Sequence, residues 1–394
     1  MGRLAVNGSS VRGVRCQLYS RARVQRFDRN GAGTPIDSLL EHLRNLDNVT
    51  SLRTVNDPTE IQLDQDGKTK RDEYRFTIAA FRQAAQIMGP GLSKFMPDLA
   101  GMLGAIDEVR AQLIDGPLAI RLWNSLVDLR FALFERYRII RNDRDRTIEG
   151  FVSHKHQYLE NVWLYSEAVE VLAGQDQNVE PYAASLNGRR FSLWFRQRTP
   201  TITVDVDGQM WPCYGGCYFT NGEATGTSVR GTIAVFTPRG VCLGAYRKFG
   251  RRVTHVGRDF MQRIGEMFAA VVHSEIPWAA LQEGANQMSS RSLGYLLNWT
   301  EEQRKERSKK IINTLGLLGV QKNLAVEAVD LALSIGRYHG MDAVDWAQAN
   351  QLYAGRTVLD LFVPLLGIAR GLDTGRREKV EQAAFDVMMG RLLL

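Results

Sequence analysis

The residues with the densest chemical potential lie in Arg247-Lys248-Phe249-Gly250-Arg251-Arg252-Val253-Thr254-His255, with Arg258 just beyond. Cations neutralise phosphates, and an aromatic ring can stack on a base. Glycine at 250 would let the backbone approach a ligand closely. The competing expectation is a solvated loop that caps a sheet and pairs with Asp259 and Glu266. A second mixture, Arg189-Arg190-Phe191-Ser192-Leu193-Trp194-Phe195-Arg196-Gln197-Arg198, reads as a strand. Its period of two places Arg190, Ser192, Trp194, Arg196 and Arg198 on one face. If Trp194 is exposed, that face is a stacking platform; if it is buried, Trp194 is packing. The candidate nucleic-acid-binding set is therefore Arg190, Trp194, Arg196, Arg198, Arg247, Lys248, Phe249, Arg251, Arg252, His255 and Arg258.

Catalytic signals are thinner. His154 and His156 lie two apart, which in a strand would point both to one face, and Glu149 or Glu160 would add a ligand or base; two surface histidines near a turn are the favoured account. Asp205, Asp207 and Glu223 have the chemistry to gather a divalent cation, but Asp207-Gly208 is also an ordinary hairpin turn. Cys213 and Cys217 have a spacing that opens a zinc site, with only Cys242 and His255 to complete it; buried thiols are the alternative. The glycines around Val241-Cys242-Leu243 lack the Lys-Ser/Thr of a phosphate loop. No catalytic residue, metal or cofactor is assigned, and the chain reads as a binding protein before an enzyme.

The elements that must position these residues belong to a globular chain of 394 residues, 44% hydrophobic and 24% charged, with a formal charge of +7. That balance favours a polyanionic partner. Four cysteines in a chain this long make no disulfide framework and fit a reducing compartment, so cytoplasmic residence is the expectation. No apolar run reaches the roughly 18–20 residues a bilayer span needs. Residues 1–60 form a basic arm and a short helix: Arg3, Arg12, Arg15, Arg21, Arg23, Arg26 and Arg29 accompany a single early acid, Asp28. The arm suits phosphate contact, a transit peptide or a solvated edge.

Helical spacing runs over 35–46, 74–88, 92–103 and 161–172, with a turn at Gln65-Asp66-Gly67-Lys68. Residues 129–140 and 147–152 suggest a hairpin whose Arg136, Arg138, Arg141, Arg144 and Arg146 form either a cross-strand ion-pair ladder or a phosphate surface. Strand patterns follow at 191–195, 201–206, 214–219, 229–236 and 241–246, and from Gly257 the period turns helical. The charged run 301–310 is explained by helical ion pairs alone. Trp346, Leu352, Leu359, Phe362 and Leu366 read as core or subunit contacts. The predicted fold class is α+β: a central antiparallel-rich sheet with helices to one side in residues 61–275, followed by an α-helical C-terminal module in 276–394.

The order of motifs resembles the phage/plasmid-like protein family, a domain of unknown function from phages, plasmids and other mobile elements. Four blocks carry the resemblance: 76–85 running into Gly89-Pro90-Gly91-Leu92-Ser93-Lys94-Phe95-Met96-Pro97; 137–142 with 150–153 and 158–161; 221–229 with Arg251, Arg252 and His255; and 345–352 with 377–381. The resemblance implies a mobile-element origin and no settled reaction. The leading expectation is sequence-tolerant binding of single-stranded DNA, with RNA a second candidate, and strand annealing by a homo-oligomer in recombination or replication. The alternatives are a viral structural or nucleocapsid protein with a genome-facing basic arm, placed in the virion, and a metal-dependent nuclease.

Overall fold

The computed structural model describes residues 25–26, 35–89, 116–175, 178–187, 190–206, 209–222, 228–296, 299–333, 356–372 and 374–392. The arm arginines other than Arg26, the helical pattern at 92–103, Asp207, Glu223, Trp346 and Leu352 lie outside them. In chain order the strands are β1 (Gln25–Arg26), β2 (Thr50–Thr54), β3 (Arg75–Phe76), β4 (Tyr137–Asn142), β5 (Thr147–Ser153), β6 (Val179–Asn187), β7 (Arg190–Gln197), β8 (Ile202–Val206), β9 (Gln209–Gly222), β10 (Ser228–Thr237), β11 (Gly240–Leu243) and β12 (Gly250–Thr254). The helices are α1 (Pro35–Asn48), α2 (Ile78–Met88), α3 (Gly116–Arg130), α4 (Asn161–Gln175), α5 (Tyr246–Phe249), α6 (Phe260–Val272), α7 (Trp278–Ser290), α8 (Glu301–Leu317), α9 (Lys322–Leu333), α10 (Val358–Gly371) and α11 (Thr374–Met388). The chain is a mixed α+β protein with an antiparallel-rich sheet and C-terminal helices.

Two sheets divide the strands. The smaller has the order β2-β4-β5-β3, antiparallel except for β3 against β5. Its core gathers Phe76 and Phe151 from the strands, Phe81 from α2, Trp123 from α3 and Phe134 from the turn that leads into β4. The span 129–140 is not strand throughout: α3 continues to Arg130 and a 3-10 segment, Phe131–Arg136, precedes β4. Arg141 of this hairpin is ion-paired, though not across the hairpin: it contacts Asp72, which precedes β3, at 3.1 Å and lies over the Tyr74 ring at 3.8 Å.

The larger sheet runs β1-β6-β7-β9-β10-β11, with β12 also on β10 and β8 on β9. Strand alternation gives it two apolar faces. On one, Phe191, Leu193, Phe195, Cys217, Phe219 and Val229 pack against α4 and α6. The other carries Trp194, Tyr218, Ala234 and Phe236, and α11 reaches it with Arg377 and Glu378. Helices therefore meet both faces, not one side as the pattern suggested, because even-numbered residues such as Ser192 and Trp194 of β7 and Thr232 and Ala234 of β10 are buried along with their odd-numbered neighbours. Among the described residues the C-terminal helices have no separate core: Phe362, Leu365, Ala384 and Phe385 share one cluster with Val204, Trp211, Ile233, Val235 and Cys242 of the strands.

A histidine pair joins the two sheets. His156, just past β5, stacks on His255, just past β12, with ring centroids 4.7 Å apart and planes at 16°. His255 Nδ1 lies 2.9 Å from the Gln157 carbonyl, so it is the donor there, and both Nε2 atoms are buried without a partner. His154 is exposed, because β5 ends at Ser153 and strand alternation no longer governs the two histidines. Burial, then the charges of His255 and Arg138, push the His156 pKa down to about 3, and burial also lowers that of His255. An unfolded imidazole titrates near 6.5. Between those values the unfolded chain binds a proton that the fold refuses, so stability is full above about 6.5 and falls as pH drops toward 3. Replacing His156 with Phe keeps the stacked ring and removes the proton site. The variant's melting temperature should decline less than that of the natural chain between about pH 6.5 and 4.5; parallel curves would show that the pair does not govern acid sensitivity.

Candidate nucleic-acid interface

The long strand β10 hosts two partners on one side. β11 pairs with Ala234–Thr237 and β12 with Ser228–Thr232. Between them the chain leaves the sheet at Gly244 and makes the single helical turn α5 before rejoining it at Gly250. The Thr232 hydroxyl ties both ends of this excursion, lying 2.8 Å from the Gly244 carbonyl and 3.3 Å from that of Phe249. A Cβ on Gly250 would lie 2.2 Å from the Gly231 carbonyl oxygen. Gly250 is therefore needed for a close approach to β10, not for an approach to a ligand.

This local geometry turns cations outward. Arg247 and Lys248 are exposed on α5, Arg251 and Arg252 on β12, and Arg258 on the following turn. Arg252 faces the same way as its cross-strand partner Arg230, while Arg251 opposes Gly231 on the other face. None of the five makes an ion pair among the described residues. The acids proposed to neutralise them are engaged elsewhere: Asp259 with Arg263 at 3.2 Å and Glu266 with Gln262 at 3.0 Å. Phe249 and His255 face inward. Phe249 is buried against Phe385, centroids 5.5 Å apart, and His255 against His156 and Phe260. Neither can stack on a base.

The β7 residues do share a face, but α11 reaches across it. Glu378, 3% exposed, accepts from Arg190 Nη2 at 2.5 Å, from the Tyr218 hydroxyl at 2.7 Å and from Arg230 Nη1 at 3.3 Å. Burial, and then the Glu378 charge, raise the Tyr218 pKa well above its ordinary value, which keeps the phenol a donor. Trp194 is 1% exposed, 4.9 Å from the Tyr218 ring, with the Arg377 guanidinium 5.0 Å from its own ring. The exposed stacking platform is thereby corrected: Trp194 is packing, and Arg190 is half of a clamp. Arg198 is exposed and pairs with Glu180 at 3.4 Å. Arg196 lies between the rings of Tyr182 and Tyr214, at 4.5 and 4.6 Å from their centroids.

The other chemical candidates do not assemble. Burial pushes the Cys213 thiol up to about 11 and that of Cys217 to about 12, so both are protonated at neutral pH and poor metal ligands. Asp205 is exposed on β8. Asn221, which opens the glycine-rich stretch, is fully buried and donates to the Leu159 carbonyl and to Asn161 Oδ1, anchoring β9 to the start of α4. Among the described residues no three of His, Cys, Asp and Glu gather as a metal site would require, and no helix is long and apolar enough to cross a membrane. The charged helix α8 is structural, with a Thr300–Gln303 capping box and a Glu301–Lys305 pair at 2.6 Å.

Two substitutions check this assignment. Glu378→Ala leaves Arg190 and Arg230 without their carboxylate in a half-buried site and should cost about 3–5 kcal/mol in denaturant unfolding; a change within ~0.5 kcal/mol would mean that the clamp contributes little. Trp194→Ala should cost about 3–5 kcal/mol through its cavity. Its nucleic-acid affinity, measured on folded protein, should match that of the natural chain. Weakened binding by a variant of undiminished stability would restore the platform.

Neither a protein-family model, a curated protein nor a solved structure matches this chain.

Proposed function

We propose that the chain binds nucleic acid through its phosphate backbone, without reading sequence, along the cationic ridge of α5 and β12. The observation that supports this reading is the set of exposed side chains Arg247, Lys248, Arg251, Arg252 and Arg258, which have no carboxylate partner among the described residues. Clustered like charges repel one another, and a polyanion relieves that repulsion while releasing its own counterions. Phosphate contacts position a nucleic acid but carry no sequence information. With Trp194 and Phe249 buried, base stacking at those positions is no part of the interaction, and the preference for single strands loses the residues that suggested it. In the phage or plasmid setting to which the family resemblance points, the partner is the element's own DNA in the host cytoplasm.

A specific observation favours a second reading. Among the described residues β12 pairs only with β10, and an edge strand carries charge to discourage pairing with another sheet. That role needs no partner. Salt dependence separates the two. Replacing Arg247, Lys248, Arg251 and Arg252 with Ala should leave the fold intact, since all four are exposed. It should also flatten the slope of log affinity against log salt by about 0.7–0.9 for each phosphate no longer neutralised, the lower figure for single strands and the upper for duplex. If the folded variant binds oligonucleotides with an unaltered slope, the ridge is edge protection; aggregation of that variant would point the same way.

A further inference from the structure

We propose that the cleft between the β6–β11 part of the large sheet and the α10–α11 helices binds a small planar anion of the nucleoside monophosphate class. The cleft measures about 940 Å³ and is lined by side chains of both layers, within the size range of small-molecule sites. Its walls combine flat or apolar groups, among them Tyr214, Phe236, Pro238 and Leu366, with the guanidinium groups of Arg196, Arg370 and Arg377 and, as the one carboxylate among the described residues, Glu381.

The charges in the cleft are unbalanced. Arg377 Nε donates to Glu381 Oε1 at 2.7 Å, and Glu381 Oε2 is buried without a donor among the described residues. Among the described residues Arg370 reaches only the Arg239 carbonyl and Arg196 makes no ion pair. The contrast with neighbouring arginines on the same sheet is what distinguishes Arg196 from a structural cation. Arg190 and Arg230 share Glu378, and Arg198 takes Glu180 although Glu180 stands directly opposite Arg196 in the β6–β7 register. Arg196 is instead held between two tyrosine rings, with its Nε buried and without an acceptor. An oriented guanidinium presents a planar fork that matches phosphate or carboxylate oxygens two at a time. The aromatic and proline surfaces beside it suit a flat ring. A base attached to a phosphate supplies both halves.

This site is separate from the ridge residues and does not depend on the ridge reading. The test is equilibrium binding, followed by calorimetry, of adenosine monophosphate, adenosine, inorganic phosphate and a 5′-phosphorylated oligonucleotide to the full chain. Adenosine monophosphate should bind at least about tenfold more tightly than adenosine or phosphate alone, the equivalent of one charge-assisted hydrogen bond. Arg196→Gln should weaken it by about tenfold or more on the same basis. Arg370→Gln, at an exposed position, should weaken it too and keeps the test usable if the Arg196 variant does not fold. The alanine replacement of the ridge should leave mononucleotide binding unchanged. Competition by the oligonucleotide, abolished by the same variants, would assign the cleft to the end of a nucleic-acid chain; mononucleotide binding without competition would assign it to a free nucleotide. Absence of mononucleotide binding to folded protein, adenosine binding as tight as its phosphate, or affinity indifferent to both arginine variants would each overturn the proposal.

Discussion

The Glu378 carboxylate is the contact on which the arrangement of this protein turns. A buried carboxylate is costly unless donors replace the water it has given up. Here two guanidinium groups and a phenol do so, from β7, β9 and β10 together. Because each donor comes from a different strand, the carboxylate fixes α11 against the sheet in position and orientation. The neighbouring Arg377 then meets Trp194, and Glu381, one turn on, lines the cleft. The clamp is not a removable plug. On its other side α11 places Val380, Ala384, Phe385 and Met388 in the main core, and burying large apolar side chains of this kind is worth roughly 1.5–3 kcal/mol each. Lifting the helix would forfeit several such terms along with the ion pairs.

One acid shared by two arginines has a consequence for charge. Ser192, Thr220, Arg230 and Arg252 stand side by side across β7, β9, β10 and β12 in the observed register. Glu378 neutralises the middle of this face and leaves both ends cationic: Arg252 at the β12 edge, and Arg196 near the far end of β7. The ridge and the cleft are thus two ends of a single uneven charge distribution. They differ in solvent access. The ridge is open and suits a long, screened polyanion, whereas the cleft is walled and suits a small ligand that it can surround.

Much of this was legible in the sequence because it is local. Alternation placed Arg190, Ser192, Trp194 and Arg196 on one face of β7, and that face exists. The turn at Gly67, with φ of 74°, and the onset of helix after Gly257, with φ of 109°, follow from glycine's access to the left-handed region. What covers the β7 face was not legible: Glu378 lies 188 residues from Arg190, and no spacing rule links them. His156 has its partner at His255, so reading His154 and His156 as a pair followed a strand period past the end of the strand. The span 129–140 misled because Phe131, Leu133 and Phe134 have the composition of a strand, whereas Phe134 is buried as a knob beneath a 3-10 turn.

The glycine of the basic segment shows how a correct signal can receive the wrong cause. A glycine among cations invited the idea of a backbone approaching phosphate, and the residue is indeed required by a close approach. The approaching group is the Gly231 carbonyl of β10. Its effect on the cations is therefore indirect. By letting β12 rejoin the sheet directly after α5, Gly250 forces the intervening turn to project, and projection sets Arg247 and Lys248 in solvent while Phe249 anchors the turn in the core. Thr232 closes the same excursion from beneath with one hydroxyl shared between two carbonyls. The outward cations and the inward aromatic are thus two results of one backbone constraint, which is why the segment looks like a stacking and phosphate motif in sequence and in three dimensions presents only its cations.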